Sequence, residues 1–133
     1  MSPTAAGLRV VVLGAAGKMG QRVVAAVHEA GFTVHSAVDR PGSPAHGVDA
    51  GLVAGVGALG VRVTSDFPEA LRGADVVIDF TEAAASVASA GVCAAAGVPI
   101  VVATTGLSAD QKTALAAAAT KIPILFEIGR AHV

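Results

Sequence analysis

A chain of 133 residues, 53% apolar and only 14% charged, has the composition of one domain with its own core rather than of a disordered segment. A formal charge of −1 supplies no basic field for a nucleic-acid backbone or an anionic membrane, and four Phe with no Trp or Tyr leave little on which to stack bases. The single cysteine, Cys93, excludes an internal disulfide and a cysteine-caged metal, and the four histidines show no metal-ligand spacing, so no metal is expected.

The opening MSPTAAGLR lacks the charged region and apolar core of a signal peptide, and the longest apolar runs are strand-sized. A soluble, cytoplasmic protein is the expectation. Residues 8–13, Val-rich and apolar but for Arg9, form a run of the kind a strand buried on both faces requires. Residues 19–30 read as a helix closed by Gly31, and residues 33–38 as a second strand ending at Asp39. Residues 40–60, rich in Gly and carrying Pro41 and Pro44, show no clear period and read as a long functional or mobile loop.

Residues 61–64 read as a short third strand. Ser65 or Asp66 is placed to cap a short helix that starts near Pro68 and stops at Gly73. Residues 76–80 are a fourth strand. Thr81 is then positioned to cap an Ala-rich helix running to Ala96 and ended by Gly97; Cys93 in that helix reads as a small buried thiol. Residues 100–103 make the next strand, SADQ at 108–111 has the form of a capping box opening a helix to about Thr120, and residues 122–126 begin a further strand. Strands alternating with helices, joined by connections too long for hairpins, specify an α/β fold: a doubly wound parallel sheet with helices on both sides.

The stretch VVVLGAAGKMG carries the chemistry. Gly14, Gly17 and Gly20 fall at spacing three where the first strand meets the first helix, with Ala16 where the commoner dinucleotide fingerprint has glycine. The first glycine turns the chain out of the strand. The second lets backbone approach a diphosphate held at the positive helix start, and the third lets the helix lie close on the sheet. A purely structural strand-to-helix turn would carry the same glycines. Asp39 separates the two readings, because it closes the second strand 19 residues after Gly20, where a carboxylate can accept both ribose hydroxyls of an adenosine. Arg40 and Lys18 can instead neutralise a 2′-phosphate, so NADH and NADPH are both admissible.

Taken with VDR at 38–40, HGVDAGLVAG at 46–55, VVIDFT at 76–81 and VVATTGL at 101–107, GAAGKMG resembles the amino-terminal, Rossmann-type domain of the dihydrodipicolinate reductase family. The resemblance covers residues 8–126. It implies that Gly14, Ala15, Ala16, Gly17, Lys18 and Met19 hold the pyrophosphate, that Asp39 holds the adenine ribose, and that Arg40 assists with NADPH. Phe80 and Thr81 would border the nicotinamide half. Ala103, Thr104 and Thr105 match a Gly-Thr-Thr segment touching the nicotinamide, with Thr105 also reaching a substrate carboxylate. Ala103 departs from the usual glycine, a change that strains the backbone by roughly 1 kcal/mol or more only if the position is left-handed. Read without the resemblance, Thr81 is equally a helix cap and Thr104 and Thr105 a polar strand end.

The implied reaction is NAD(P)H-dependent reduction of 4-hydroxy-tetrahydrodipicolinate, a cyclic dicarboxylate, to tetrahydrodipicolinate in the diaminopimelate route to lysine. The family's acid–base residues lie in a second domain, which also supplies most substrate contacts and a tetramer interface. That domain is absent from this chain, so no catalytic residue is assigned and His132 is given no such role. Residues 1–127 are expected to be the dinucleotide-binding domain. Residues 128–133 read as a non-native tail, since Ile-Gly-Arg-Ala-His-Val is the translation of codons that resemble a common sequencing-adapter stretch; a natural ending is the alternative. The rival functions are the nucleotide-binding half of an aspartate or homoserine dehydrogenase, and a non-catalytic redox sensor that only binds dinucleotide.

Overall fold

In β1 (Arg9–Leu13) the four apolar residues Val10 to Leu13 are at most 3% exposed, and they divide by parity between two cores. Val10 and Val12 pack with Val24 and Val27 on one face of the sheet, whereas Val11 and Leu13 pack with Val77, Ile100 and Val102 on the other. A strand apolar at every position therefore sits at the centre of the sheet, covered on both sides. The computed structural model describes residues 7–103 and 106–126.

The remaining elements follow in chain order: α1 (Lys18–Glu29), β2 (Thr33–Val38), α2 (Ala50–Ala54), β3 (Val63–Thr64), α3 (Phe67–Ala70), β4 (Val76–Asp79), α4 (Ala83–Ala96), β5 (Ile100–Val102), α5 (Ala109–Ala118) and β6 (Ile124–Phe126). All six strands run parallel in the order β3-β2-β1-β4-β5-β6. The chain winds outward from β1 to β3, returns to β4 on the other side of β1, and winds outward again. This is the doubly wound sheet expected from the sequence. Its strand order reverses between β1 and β4, and at such a reversal the loops part to leave a crevice.

The register decides what lines that crevice. Leu13 partners both Val38 and Asp79, and Asp79 partners Val102. Four strands thus end level, and the residues that follow them, at 14, 39, 80 and 103, emerge side by side.

Several local expectations are refined. The segment 40–60 contains a helix that its sequence does not announce, α2, capped by Asp49 and ended by Gly55 in the left-handed conformation. Asp66 rather than Ser65 caps α3, its side chain accepting from Glu69 N–H. The capping box at Ser108 and Gln111 is complete in both directions. Thr81 does not cap α4. The N-cap is Glu82, which makes no side-chain cap bond, and the Thr81 hydroxyl turns back to Asp79.

α4 buries Ser86, Ala90 and Cys93, a stripe of small side chains that lets the helix lie close on the sheet. Cys93 is fully buried, and that burial, reinforced by the charge of Asp79, pushes its thiol up to about 12. The thiolate is the reactive form, so Cys93 in the folded chain should resist a disulfide reagent at pH 8 and react fully only once denaturant unfolds the domain. Rapid labelling of the native chain would contradict this burial.

Candidate functional site

The level strand ends open onto a cleft of about 910 Å³. Gly14, Ala16 and Gly17 line it from the β1–α1 turn, Asp39 and Arg40 from the end of β2, and Phe80 and Thr81 from the end of β4. Seven of the residues singled out from the sequence therefore share one cavity.

The turn is built by its backbone. Gly14 has φ +79°, and a Cβ there would also stand 3.1 Å from the Phe80 carbonyl oxygen. The Val38 carbonyl accepts from Gly14 N–H at 2.8 Å and from Ala15 N–H at 3.1 Å. Ala16 N–H donates to Asp39 Oδ2 at 2.8 Å, and Gly17 N–H to the Gly14 carbonyl at 3.1 Å. All four of these N–H groups are thus committed within the fold. The first helical bond is Gln21 N–H to the Gly17 carbonyl, so the N–H groups of Lys18, Met19 and Gly20 have no acceptor inside α1. No side chain caps this end and no acidic residue lies in its first turn, which leaves the helix start electropositive.

Gly20 and Gly17 serve opposite ends. A Cβ on Gly20 would lie 1.9 Å from the Gly14 carbonyl oxygen and 2.8 Å from Ala15 Cα, so the helix can meet the turn only through glycine. Gly17 has φ −73°, and a Cβ there would meet only the Gly14 oxygen, at an ordinary 3.4 Å. The fold itself does not require glycine at position 17; the exposed position borders the cleft.

Asp39 is half-buried, with Oδ1 accepting from Arg40 N–H at 2.7 Å and Oδ2 from Ala16 N–H. Each oxygen retains a further lone pair for an incoming donor. Opposite, Asp79 is fully buried at the end of β4, and its Oδ1 accepts from both the N–H and the hydroxyl of Thr81, at 2.8 and 2.6 Å. Its Oδ2 is buried without a hydrogen-bond partner among the described residues. Asp79 fixes the cleft edge at Thr81, a role missed in the sequence although a carboxylate closing an apolar strand (VVID) was the available signal. Gln21 was also missed. It lines the cleft and braces the turn by donating from Nε2 to the Ala16 carbonyl at 2.7 Å.

The other candidates lie elsewhere. Ala15 is buried in the core beneath the turn. Met19 is 49% exposed and outside the cleft lining. Lys18 lines a neighbouring groove with Gln21, Arg22, Ala25 and Ala54. Ala103 donates its N–H to the Asp79 carbonyl at 3.0 Å and sits beyond the cleft lining, and its φ is not positive, so replacing glycine there introduces no left-handed strain. Thr104, Thr105 and the suspected tail at 128–133 lie outside the described residues. Among the described residues, no helix is long and apolar enough to cross a membrane, and no group of three or more His, Cys, Asp or Glu is placed to hold a metal ion.

A glycine turn at the reversal of a parallel sheet, an uncapped helix start and a carboxylate closing the second strand define the class: a Rossmann-type nucleotide-binding domain. The chain belongs to the dihydrodipicolinate reductase family, whose amino-terminal domain matches residues 8–128. It is 52% identical over 118 residues to a 4-hydroxy-tetrahydrodipicolinate reductase of Anaeromyxobacter dehalogenans, covering 88% of this chain and 44% of that protein. The chain thus spans less than half the length of the curated relatives it matches. Among solved structures it resembles an amine dehydrogenase from Mycobacterium smegmatis (TM-score 0.74, 25% identity, 90% of this chain and 38% of that one). It also shares its fold with a dipicolinate-bound dihydrodipicolinate reductase from Paenisporosarcina sp. TG-14 (TM-score 0.66, 22% identity, 85% of this chain and 43% of that one).

Proposed function

We propose that this chain is the cofactor-holding part of an enzyme that reduces 4-hydroxy-tetrahydrodipicolinate to tetrahydrodipicolinate with NADH or NADPH, in the cytoplasmic diaminopimelate route to lysine. The observation that carries the reading is Gly17. It is the one glycine of the turn for which the fold has no need, and its bareness borders the cleft beside the free N–H groups of α1.

The residues present fit a dinucleotide. Lys18 and Met19 N–H would hold the diphosphate, with Gly14, Ala15, Ala16 and Gly17 shaping the turn against it. Asp39 would accept the adenine ribose hydroxyls while keeping its bonds to Ala16 and Arg40. Arg40, which borders the cleft, would meet a 2′-phosphate when the cofactor is NADPH. Phe80 and Thr81, the latter fixed by Asp79, would border the nicotinamide half, joined by Ala103, Thr104 and Thr105. Thr105 would also take a carboxylate of the substrate.

When bound, the nicotinamide supplies the hydride, and the protein's task is to orient it and exclude water. The proton donor, most substrate contacts and the tetramer interface would come from a second domain. The dipicolinate bound to the Paenisporosarcina relative is a planar dicarboxylate of the expected substrate class.

Calorimetric titration of the 133-residue chain with NADH and NADPH, alongside a substrate-reduction assay, tests the proposal. Weak binding of at least one cofactor and no measurable turnover are expected, and Arg40→Ala should weaken NADPH several-fold more than NADH. Absence of binding to either cofactor would refute the reading, and appreciable turnover by this chain alone would refute the division of labour. Cofactor binding by the whole protein without enhancement by pyridine-2,6-dicarboxylate would favour a dinucleotide sensor.

A further inference from the structure

The segment joining β2 to β3 is cinched by one side chain. Asp49 Oδ1 accepts from the N–H groups of Gly51 at 2.8 Å, Leu52 at 3.3 Å and Leu59 at 2.9 Å, and Oδ2 from Gly60 N–H at 2.7 Å. The first two donors open α2. The other two lie where the chain comes back toward β3, so one carboxylate ties both ends of the 49–60 loop. These bonds, that of Leu59 foremost, hold the Asp49 carboxyl below the usual carboxylate range.

The backbone tightens the same closure, with Ala50 N–H donating to the Val61 carbonyl at 2.7 Å and Val63 N–H to the Val48 carbonyl at 2.9 Å. Gly51 seals it. A Cβ there would lie 2.0 Å from the Gly57 carbonyl oxygen and 2.6 Å from Leu59 Cγ. Asp49 itself does not line the cleft. The loop's Val53 does, together with Pro44 and Ala45 from the preceding turn and Asp39 and Arg40 from the end of β2.

We infer that Asp49 is a positioning residue for recognition of the adenosine half of the cofactor: by closing the 49–60 loop it holds Val53, which with Ala45 of the preceding turn lines the cleft as an apolar wall on the side of Asp39. This rests on the cofactor reading above and adds a residue remote from the ligand to its binding energetics. A wall held in place before binding spares the ligand the entropy of ordering it. The diphosphate cup, built from residues 14–20 and the end of β2, does not depend on that closure. A merely structural Asp49 would, when replaced, lower the folded fraction and weaken every ligand alike. A positioning Asp49 acts on adenosine-bearing ligands alone.

Titrations of the ¹⁵N-labelled 133-residue chain and its Asp49→Asn variant, followed by amide chemical shifts, distinguish the two. With ADP the variant should bind about tenfold more weakly than the wild type, whereas inorganic pyrophosphate should bind both within about twofold. Equal weakening of the two ligands, or of neither, would overturn the inference. If the wild type fails to respond to NADH, the cofactor reading itself falls and takes this one with it. If the Asp49→Asn substitution prevents folding, hydrogen exchange of the wild type decides. Exchange at Gly51, Leu52, Leu59 and Gly60 should slow with saturating ADP and not with pyrophosphate; unchanged exchange with ADP would overturn the inference.

Discussion

Gly20→Ala is expected to destabilise the domain by at least about 3 kcal/mol, a large share of the stability typical of a domain this size. Helix propensity alone predicts the opposite sign, a gain of about 1 kcal/mol for replacing glycine inside a helix. Geometry decides between them. The added methyl would stand 1.9 Å from the Gly14 carbonyl oxygen and 2.7 Å from its carbon, and both atoms belong to a turn pinned to Val38 and Asp39. No flexible side chain can yield there; α1 must lift from the turn, opening the core around Val24 and Val27. A urea unfolding midpoint equal to or above that of the wild type would show that the close approach of α1 to the turn is misplaced.

Gly17→Ser is expected to separate stability from binding. At an extended N-cap with φ −73° a serine is unstrained, and serine equals or exceeds glycine as a cap, so the unfolding midpoint should stay level or rise by a few tenths of a kcal/mol. Its hydroxyl would accept from the very N–H groups left free at the helix start, and its Cβ would occupy the bare edge of the cleft. NADH affinity should fall by about 2 kcal/mol, or about thirtyfold. A Gly17→Ser chain that is as stable as the wild type and binds NADH equally well would remove the diphosphate assignment.

The parts of this fold that were legible in sequence are those whose cause is local. Residues 10–13, closed by Gly14, read as a central strand, since a strand covered on one face alone does not bury four consecutive apolar side chains. Gly14 and Gly20 marked the turn, and the Ser-x-x-Gln box marked the start of α5, because each answers a requirement within a few residues. The parts that stayed hidden depend on partners distant in the chain. α2 has five residues, too few for a period to show, and it is held by an Asp49 that reaches ten and eleven residues ahead. Thr81 looked like a cap because its neighbour begins a helix; its actual partner, Asp79, is two residues back on a buried strand end. Lys18 and Arg40 were grouped by charge, yet the helix turns Lys18 into the adjoining groove while Arg40 borders the cleft. Which N–H groups of residues 14–19 remain free could not be foreseen either, because it follows from the pairing of β1 with β2.

The carbonyl of Val38 and the carboxylate of Asp39 together occupy three consecutive amides of the loop that leaves β1. An excised peptide spanning only the first strand, turn and helix would lack those acceptors, and its glycines would sample many shapes. The curve proposed to hold a diphosphate is therefore a product of the assembled sheet. During folding it can take form only after the second strand has docked, so the cup proposed for the diphosphate matures late even though residues 14–20, which shape it, are contiguous near the start of the chain.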